Sequence, residues 1–288
     1  MINTTHSSAT GLGGARDDRR DAAAGWRRSH EIIEGDQGGK ALSETLVQLA
    51  RVGPGDTVLD VAGGYGEPSL TAASAVGPGG HVVCNDISGD MLAFGQERAA
   101  AARLANVEFV ECDVDALDFQ AGSFDAVVSR SGLMLLPDVA GTLARLREFL
   151  KPGGRLAASV WGPMPTIQMV AAMPVVFEEL AVPPPPSDGP GMFALGDAGR
   201  LAALVENTGF QDVETGTITV VYEADTPEQF TQFVWSVAPA MITDLVAAQP
   251  PEVQQRVWNK VTEAYSRFQT ADGRIRTENQ AIWVVGFR

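Results

Sequence analysis

Cysteine, histidine and basic charge are scarce in this 288-residue chain, and each shortage excludes a class of protein. Two cysteines cannot build a disulfide framework, and apolar neighbours place Cys84 and Cys112 in adjacent core strands as small buried side chains. With three histidines and no metal-ligand spacing, no metal site is expected. Lysine and arginine number 21 against 36 acids, a formal charge of −15 that disfavours phosphate backbones and anionic bilayers, so neither a nucleic-acid partner nor membrane insertion is expected. The densest basic group, Arg16, Arg19, Arg20, Arg27 and Arg28, is interleaved with Asp17, Asp18 and Asp21 and reads as a solvated helix face. No run of eighteen apolar residues occurs, and MINTTHSSATGLGG lacks the charged start and apolar centre of an export signal; a cytoplasmic location is expected.

What the chain does have is a core-forming composition, 45% hydrophobic and 20% charged, and one informative segment, TVLDVAGGYGEP at Thr57 to Pro68. An apolar strand ends in Asp60, a glycine-dense turn follows, and a helical pattern opens near Glu67. Gly63, Gly64 and Gly66 let backbone amides approach a ligand without side-chain obstruction. Twenty residues beyond Gly66 a second strand, HVVCNDIS, ends in Asp86, whose carboxylate can accept both hydroxyls of a ribose. A dinucleotide fingerprint would place its glycines at 64, 66 and 69, but position 69 is Ser69. A carboxylate at Asp60 would also repel a pyrophosphate, whereas it suits a cationic ligand.

The pattern Asp60-x-Ala62-x-Gly64-x-Gly66 resembles the first motif of class I S-adenosylmethionine-dependent methyltransferases, with Ala62 where the family has its first glycine. Further pieces follow in order: Ser88 placed to cap a helix carrying Met91 and Phe94, the strand VEFVECDV, the strand FDAVVSRSGL, an amphipathic helix from Pro137, and LKPGGRL at Leu150 to Leu156. The chain is most similar to the small-molecule methyltransferases of the ubiquinone and menaquinone biosynthesis group. That resemblance implies an α/β fold, a doubly wound, mostly parallel seven-stranded sheet whose last strand inserts antiparallel beside the fifth, with helical cap and lid insertions. It implies S-adenosyl-L-methionine as cofactor, bound by Asp60, Ala62, Gly63, Gly64, Gly66, Asp86, Ile87, Met91, Asp113, Val114, Ser129 and Arg130, with Asp113 meeting the adenine amino group.

Five spans are expected. Residues 1–14 form a disordered leader, 15–52 a helical cap, 53–161 the cofactor-binding core, 162–195 a proline-rich lid, and 196–288 the rest of the core with a helical insertion over 227–270. The cap is read as helices over Arg16 to Glu34 and Gly39 to Val52. Gly162 to Leu195 holds eight of the seventeen prolines, which excludes a regular element, and its methionines serve a substrate lid or a structural helix equally.

Methyl transfer needs the acceptor in line with the methyl–sulfur bond, so positioning suffices unless the acceptor must lose a proton. His30, Tyr65, Glu178 and Glu179 are the candidates for a base. Trp26, Met134, Trp161, Met192, Phe193 and Trp235 are the expected acceptor contacts, a set that suits a quinone, polyketide or isoprenoid-like small molecule. Two alternatives stay open: an adenosyl-binding protein that catalyses a non-methylating cyclisation, and a nicotinamide-dependent oxidoreductase. The oligomeric state, a homo-oligomer included, is left open.

Overall fold

Short valine-rich runs, apolar on both faces, become strands that must be covered from two sides. In the computed structural model, which describes residues 24–184 and 189–288, seven strands form one sheet: β1 (Thr57–Val61), β2 (His81–Asp86), β3 (Val107–Glu111), β4 (Phe124–Arg130), β5 (Leu150–Trp161), β6 (Gln211–Ala224) and β7 (Ile275–Phe287). Their order is β3-β2-β1-β4-β5-β7-β6. The first five are parallel, and β7 runs antiparallel between β5 and β6. The doubly wound α/β architecture expected from the sequence is the one adopted. Val58, Leu59, Val127 and Val128 have no exposed surface, as central parallel strands require.

Helices α1 (24–33) and α2 (Gly39–Leu49) precede the sheet, and α3 (Ser69–Val76), α4 (Gly89–Ala101) and α5 (Val139–Phe149) cross between parallel strands. Helices α6 (Met173–Glu179) and α7 (Ala198–Asn207) follow β5, and α8 (Pro227–Val237), α9 (Ala240–Ala247) and α10 (Pro251–Ser266) separate β6 from β7. Side-chain oxygens set several starts: Ser88, Asp138, Asp197 and Thr226 each accept a hydrogen bond from the amide three residues on, satisfying an otherwise orphaned donor. One face of the sheet packs Val58, Val82 and Ala126 against Leu46, Ala72 and Val76 of α2 and α3. The other buries Leu59, Val127 and Leu156 with Leu143 and Leu146 of α5 and Leu201 of α7. Because β1 and β4 are neighbours whose connections leave in opposite directions, a crevice opens above their carboxyl ends, where doubly wound sheets bind ligands.

Two expectations change, and others lie in part outside the described residues. The helix read over Arg16 to Glu34 is seen from residue 24; its earlier part, the leader 1–14 and residues 185–188 of the proline run lie outside the described residues. Residues 162–195 do hold a regular element, because Pro174 stands in the first turn of α6, where its missing amide leaves no bond unmade. The helical insertion expected after Pro227 is divided into three helices, since Pro239 and Pro250 immediately precede α9 and α10. Cys112 lies one residue past β3 and is half-buried, so only Cys84 is the buried apolar residue expected.

The alanine that replaces the family's first glycine sits in left-handed backbone, φ +55°. An L side chain there is strained by about 1 kcal/mol or more. Ala62→Gly is therefore expected to raise unfolding stability by roughly 0.5 kcal/mol, the strain relieved less the roughly 0.4–1 kcal/mol lost to the freer unfolded chain. Urea denaturation measures it, and an unchanged or lowered midpoint would show that the turn carries no such strain.

Candidate functional site

The carboxyl ends of β1, β2 and β4 bring the two acids and the glycine turn together. Asp60, in the last turnless stretch of β1, has no exposed surface. Its Oδ2 accepts bonds from the Ser69 amide at 2.9 Å and hydroxyl at 2.6 Å, while Oδ1 has no hydrogen-bond partner. The turn passes directly over this carboxylate: a Cβ on Gly63 would meet Asp60 Oδ2 at 2.6 Å and Cys84 Sγ at 2.7 Å. Gly64 takes φ +54°, and its amide donates to Asp86 Oδ2 at 3.0 Å. The other oxygen, Oδ1, accepts from the Ser88 amide at 2.8 Å, so two backbone donors hold the Asp86 carboxylate against the turn. Met91 borders Gly64 from the first turn of α4, and half-buried Ile87 links Asp86 to the Ser88 cap.

The remaining expected cofactor contacts divide into two groups. Asp113, exposed beyond β3, accepts from the Asp115 amide at 3.0 Å, with buried Val114 beside it. Ser129 is buried at the end of β4 and donates to the Val61 carbonyl at 2.9 Å, which ties β4 to the start of the turn. Arg130 turns toward the cap. Its Nη1 donates to Glu34 Oε2 (2.9 Å), the Gly39 carbonyl (2.8 Å) and Ser43 Oγ (3.0 Å), and its Nη2 donates to Glu34 Oε1 and the Tyr65 hydroxyl (3.0 Å). The Tyr65 hydroxyl in turn donates to Glu34.

The base candidates are placed very differently. Burial raises the Tyr65 phenol well above its ordinary pKa, so it keeps its proton at neutral pH. His30 Nδ1 lies 2.9 Å from the Arg27 carbonyl, to which it must donate, and its ring stands edge-on to Phe94 at 5.3 Å. Glu179 on α6 is engaged by Arg256 and Lys260 of α10, and Glu178 is exposed on the same helix. Of the expected acceptor contacts, Trp26 covers Tyr65 at 5.8 Å between ring centroids. Met134 is buried, and its carbonyl accepts from the Gly191 amide, which brings the half-buried Met192 and Phe193 beside it. Trp161 meets Tyr222 at 6.4 Å, and Trp235 packs on Trp258 of α10. A cavity of about 840 Å³ lies elsewhere, on the far side of α1, between Arg28, Glu31, Phe233, Glu223 and Arg276, and contains none of these residues.

Sequence reading missed Glu34, Arg98 and Ser69. Arg98 donates to the Tyr65 carbonyl at 2.9 Å and pairs with Glu67 at 3.2 Å. Glu34 and Arg98 lie outside any motif; Ser69 is legible only as the residue standing where a third glycine would be.

The two buried acids respond oppositely to their surroundings. Burial pushes Asp60 up to about 7, against the opposing Ser69 bonds and Arg130 charge. Burial would raise Glu34 as well, but the Arg130 charge and the bonds from Arg130 and Tyr65 outweigh it and hold Glu34 below its usual range. Between pH ~4 and about 7 the native state keeps a proton on Asp60 that the unfolded chain releases. Stability from this group is complete below the ordinary carboxylate range and is lost as pH rises through about 7, at up to about 1.4 kcal/mol per pH unit. Asp60→Asn is expected to remove that slope, so the wild-type and variant stabilities measured by urea unfolding diverge across this window. Parallel profiles would assign Asp60 an ordinary pKa.

A family profile described as a methyltransferase domain matches residues 58–154. A ubiquinone/menaquinone biosynthesis C-methyltransferase of Ectopseudomonas mendocina is 41% identical over 111 residues, covering 38% of this chain and 43% of that protein. The match thus spans less than half of that relative's length. Among solved structures, a Haemonchus contortus phosphoethanolamine N-methyltransferase bound to S-adenosylhomocysteine superposes with a TM-score of 0.56 at 19% identity, covering 94% of this chain and 57% of that one. The [4+2]-cyclase SpnF gives 0.51 at 17% identity, covering 85% and 80%. These two likenesses concern the fold alone. Fold, motif order and the family match agree that residues 58–154 are similar to a methyltransferase domain and that this part of the chain resembles the class I S-adenosylmethionine-dependent methyltransferases of the ubiquinone/menaquinone group.

Proposed function

We propose that this chain transfers a methyl group from S-adenosylmethionine to a largely apolar small molecule of the quinone, polyketide or isoprenoid kind. The observation that carries the reading is the turn itself, with bare backbone at Gly63 and Gly64, Asp86 drawn against it by two amides, and a buried carboxylate oxygen of Asp60 left without a partner. These residues fit a nucleoside that also carries positive charge. Asp86 would take the ribose hydroxyls, Asp113 and Val114 would flank the base, and Asp60 would favour the cationic end through the turn. When bound, the cofactor supplies an electrophilic methyl on a sulfonium.

The chain's own contribution is to orient and to exclude water. Trp26, Arg27 and His30 of α1 lie over Tyr65 and Phe94, so the cap closes the crevice on the side of the turn. A dry, fixed geometry is sufficient for in-line displacement. Where the acceptor must lose a proton, His30 is a candidate to receive it, because it stands on α1 with its ring against Phe94. The apolar acceptor is supported by Met134, Met192, Phe193 and Trp161, which contribute no charge near β4 and β5.

Calorimetry with S-adenosylhomocysteine, followed by methyl-labelled cofactor and a panel of quinols, naphthols and polyphenols, tests this function. Asp86→Ala is expected to weaken S-adenosylhomocysteine binding by about 1.5–3 kcal/mol, roughly ten- to a hundredfold, through loss of charge-assisted bonds. Binding of a nicotinamide nucleotide without binding of either adenosyl compound would overturn the proposal.

A further inference from the structure

The flanks of Tyr65 are permissive, since Gly64 and Gly66 both take left-handed backbone at φ +54° and +95°. A segment so flanked does not select its own shape, so something outside it must. Tyr65 is held at three points. Its hydroxyl donates to Glu34 and accepts from Arg130 at 3.0 Å, its carbonyl accepts from Arg98 at 2.9 Å, and its ring lies between Trp26 and Phe94 at 5.8 and 6.0 Å. The next residue back, Gly64, is the one whose amide reaches Asp86. Glu34, Tyr65, Gly64 and Asp86 therefore form one continuous run of contacts from the end of the cap to the acid at the end of β2.

Under the methyltransferase reading, we propose that Glu34 is a positioning residue for the cofactor. It sets the turn through the Tyr65 hydroxyl, so that the Gly64 amide and the Asp86 carboxylate take their binding arrangement only when α1 is seated. The seat of α1 is itself defined from behind. A Cβ on Gly25 would collide with the Ser236 carbonyl of α8, and the Ser29 and Ser236 hydroxyls are 2.6 Å apart. The helix thus has one docked position, and Glu34 carries that position forward to the turn. The side chain of Glu34 is 12% exposed and that of Arg130 is 9%, so this link runs through protein and not through solvent.

Tyr65→Phe tests the link with the Glu34–Arg130 pair left in place, which guards against simple unfolding; Glu34→Gln is the companion. Each is expected to raise the dissociation constant for S-adenosylhomocysteine tenfold or more. The double variant is expected to be no weaker than the weaker single one, because both changes cut the same link. Hydrogen exchange should quicken at the amides of Gly64 to Gly66 and stay unchanged in β1. A purely structural role would instead lower the melting temperature, leave the dissociation constant of the folded protein unaltered and speed exchange throughout. That outcome, or additive losses in the double variant, overturns the inference while the methyltransferase reading stands. Failure of the wild-type protein to bind S-adenosylhomocysteine overturns the reading itself.

Discussion

The buried ion pair of Glu34 and Arg130 is where cap, turn and sheet meet, and the shape of the site follows from the conditions that make such a pair tolerable. Taking a carboxylate and a guanidinium out of water costs several kcal/mol per ion, and their attraction offsets this only when the remaining donors and acceptors are satisfied. Arg130 meets that condition through two Glu34 oxygens, the Gly39 carbonyl, the Ser43 hydroxyl and the Tyr65 hydroxyl. A lysine, with three donors on one point charge, lacks the planar fork that reaches both sides of Glu34 and α2 at once. The pair adds little net stability, yet it is satisfied only when the end of α1, the start of α2, the glycine turn and the end of β4 are all in place. Its effect is on arrangement.

The contrast with Asp60 shows how partner chemistry, and not burial alone, decides the charge of a buried acid. Both carboxyls are enclosed, but Glu34 faces a guanidinium and a phenol, whereas Asp60 has the neutral Ser69 and an oxygen with no partner. The first is held ionised and the second is pushed up to about 7, where a nearby cation readily shifts the balance toward the carboxylate. Cys84, directly under the turn, is raised well above its ordinary pKa by burial and then by the Asp60 charge, and stays a neutral thiol. A cation bound beside the turn would therefore favour the ionised form of Asp60.

The sheet was legible because its signals are local. β1, β2 and β4 are valine-rich runs closed by polar residues, and Ser88, Asp138 and Asp197 sit where helix starts need an acceptor. The placement of Asp60 and Asp86 near strand ends and of Gly64 in the turn between them was legible for the same reason, since strand ends and turn glycines occupy fixed places in a doubly wound sheet. The internal proline of α6 was misread because a proline at a helix start and one in a helix interior look alike until the boundary is known. Glu34 and Arg98 were invisible on different grounds. Their partners lie 96 and 33 residues away, and no periodicity or spacing encodes such pairings. The sequence also contains nothing to indicate that the Arg130 guanidinium bonds to Glu34, after α1, and to Gly39 and Ser43 of α2.

The same long-range character ties the C-terminal insertion to the cap although the insertion contributes no motif. Helix α1 is wedged between α8, which it approaches so closely at Gly25 that no side chain fits, and the ring of Tyr65 on its other flank. The α1–α2 connection is pinned to the far end of the sheet as well, where the Val221 amide donates to the Gln37 carbonyl and Arg276 of β7 donates to the Gln37 side chain at 2.9 Å. The position of the cap is therefore set by β6, β7 and α8, while the surface it covers is built by β1, β2 and β4. Helix α1 thus joins the two halves, with α8 at its Gly25 and Ser29 and the glycine turn near its other end. In a fold of this kind the residues that shape the glycine turn extend past the sequence motif that contains it, and the path between them runs through packed side chains that only the assembled structure brings together.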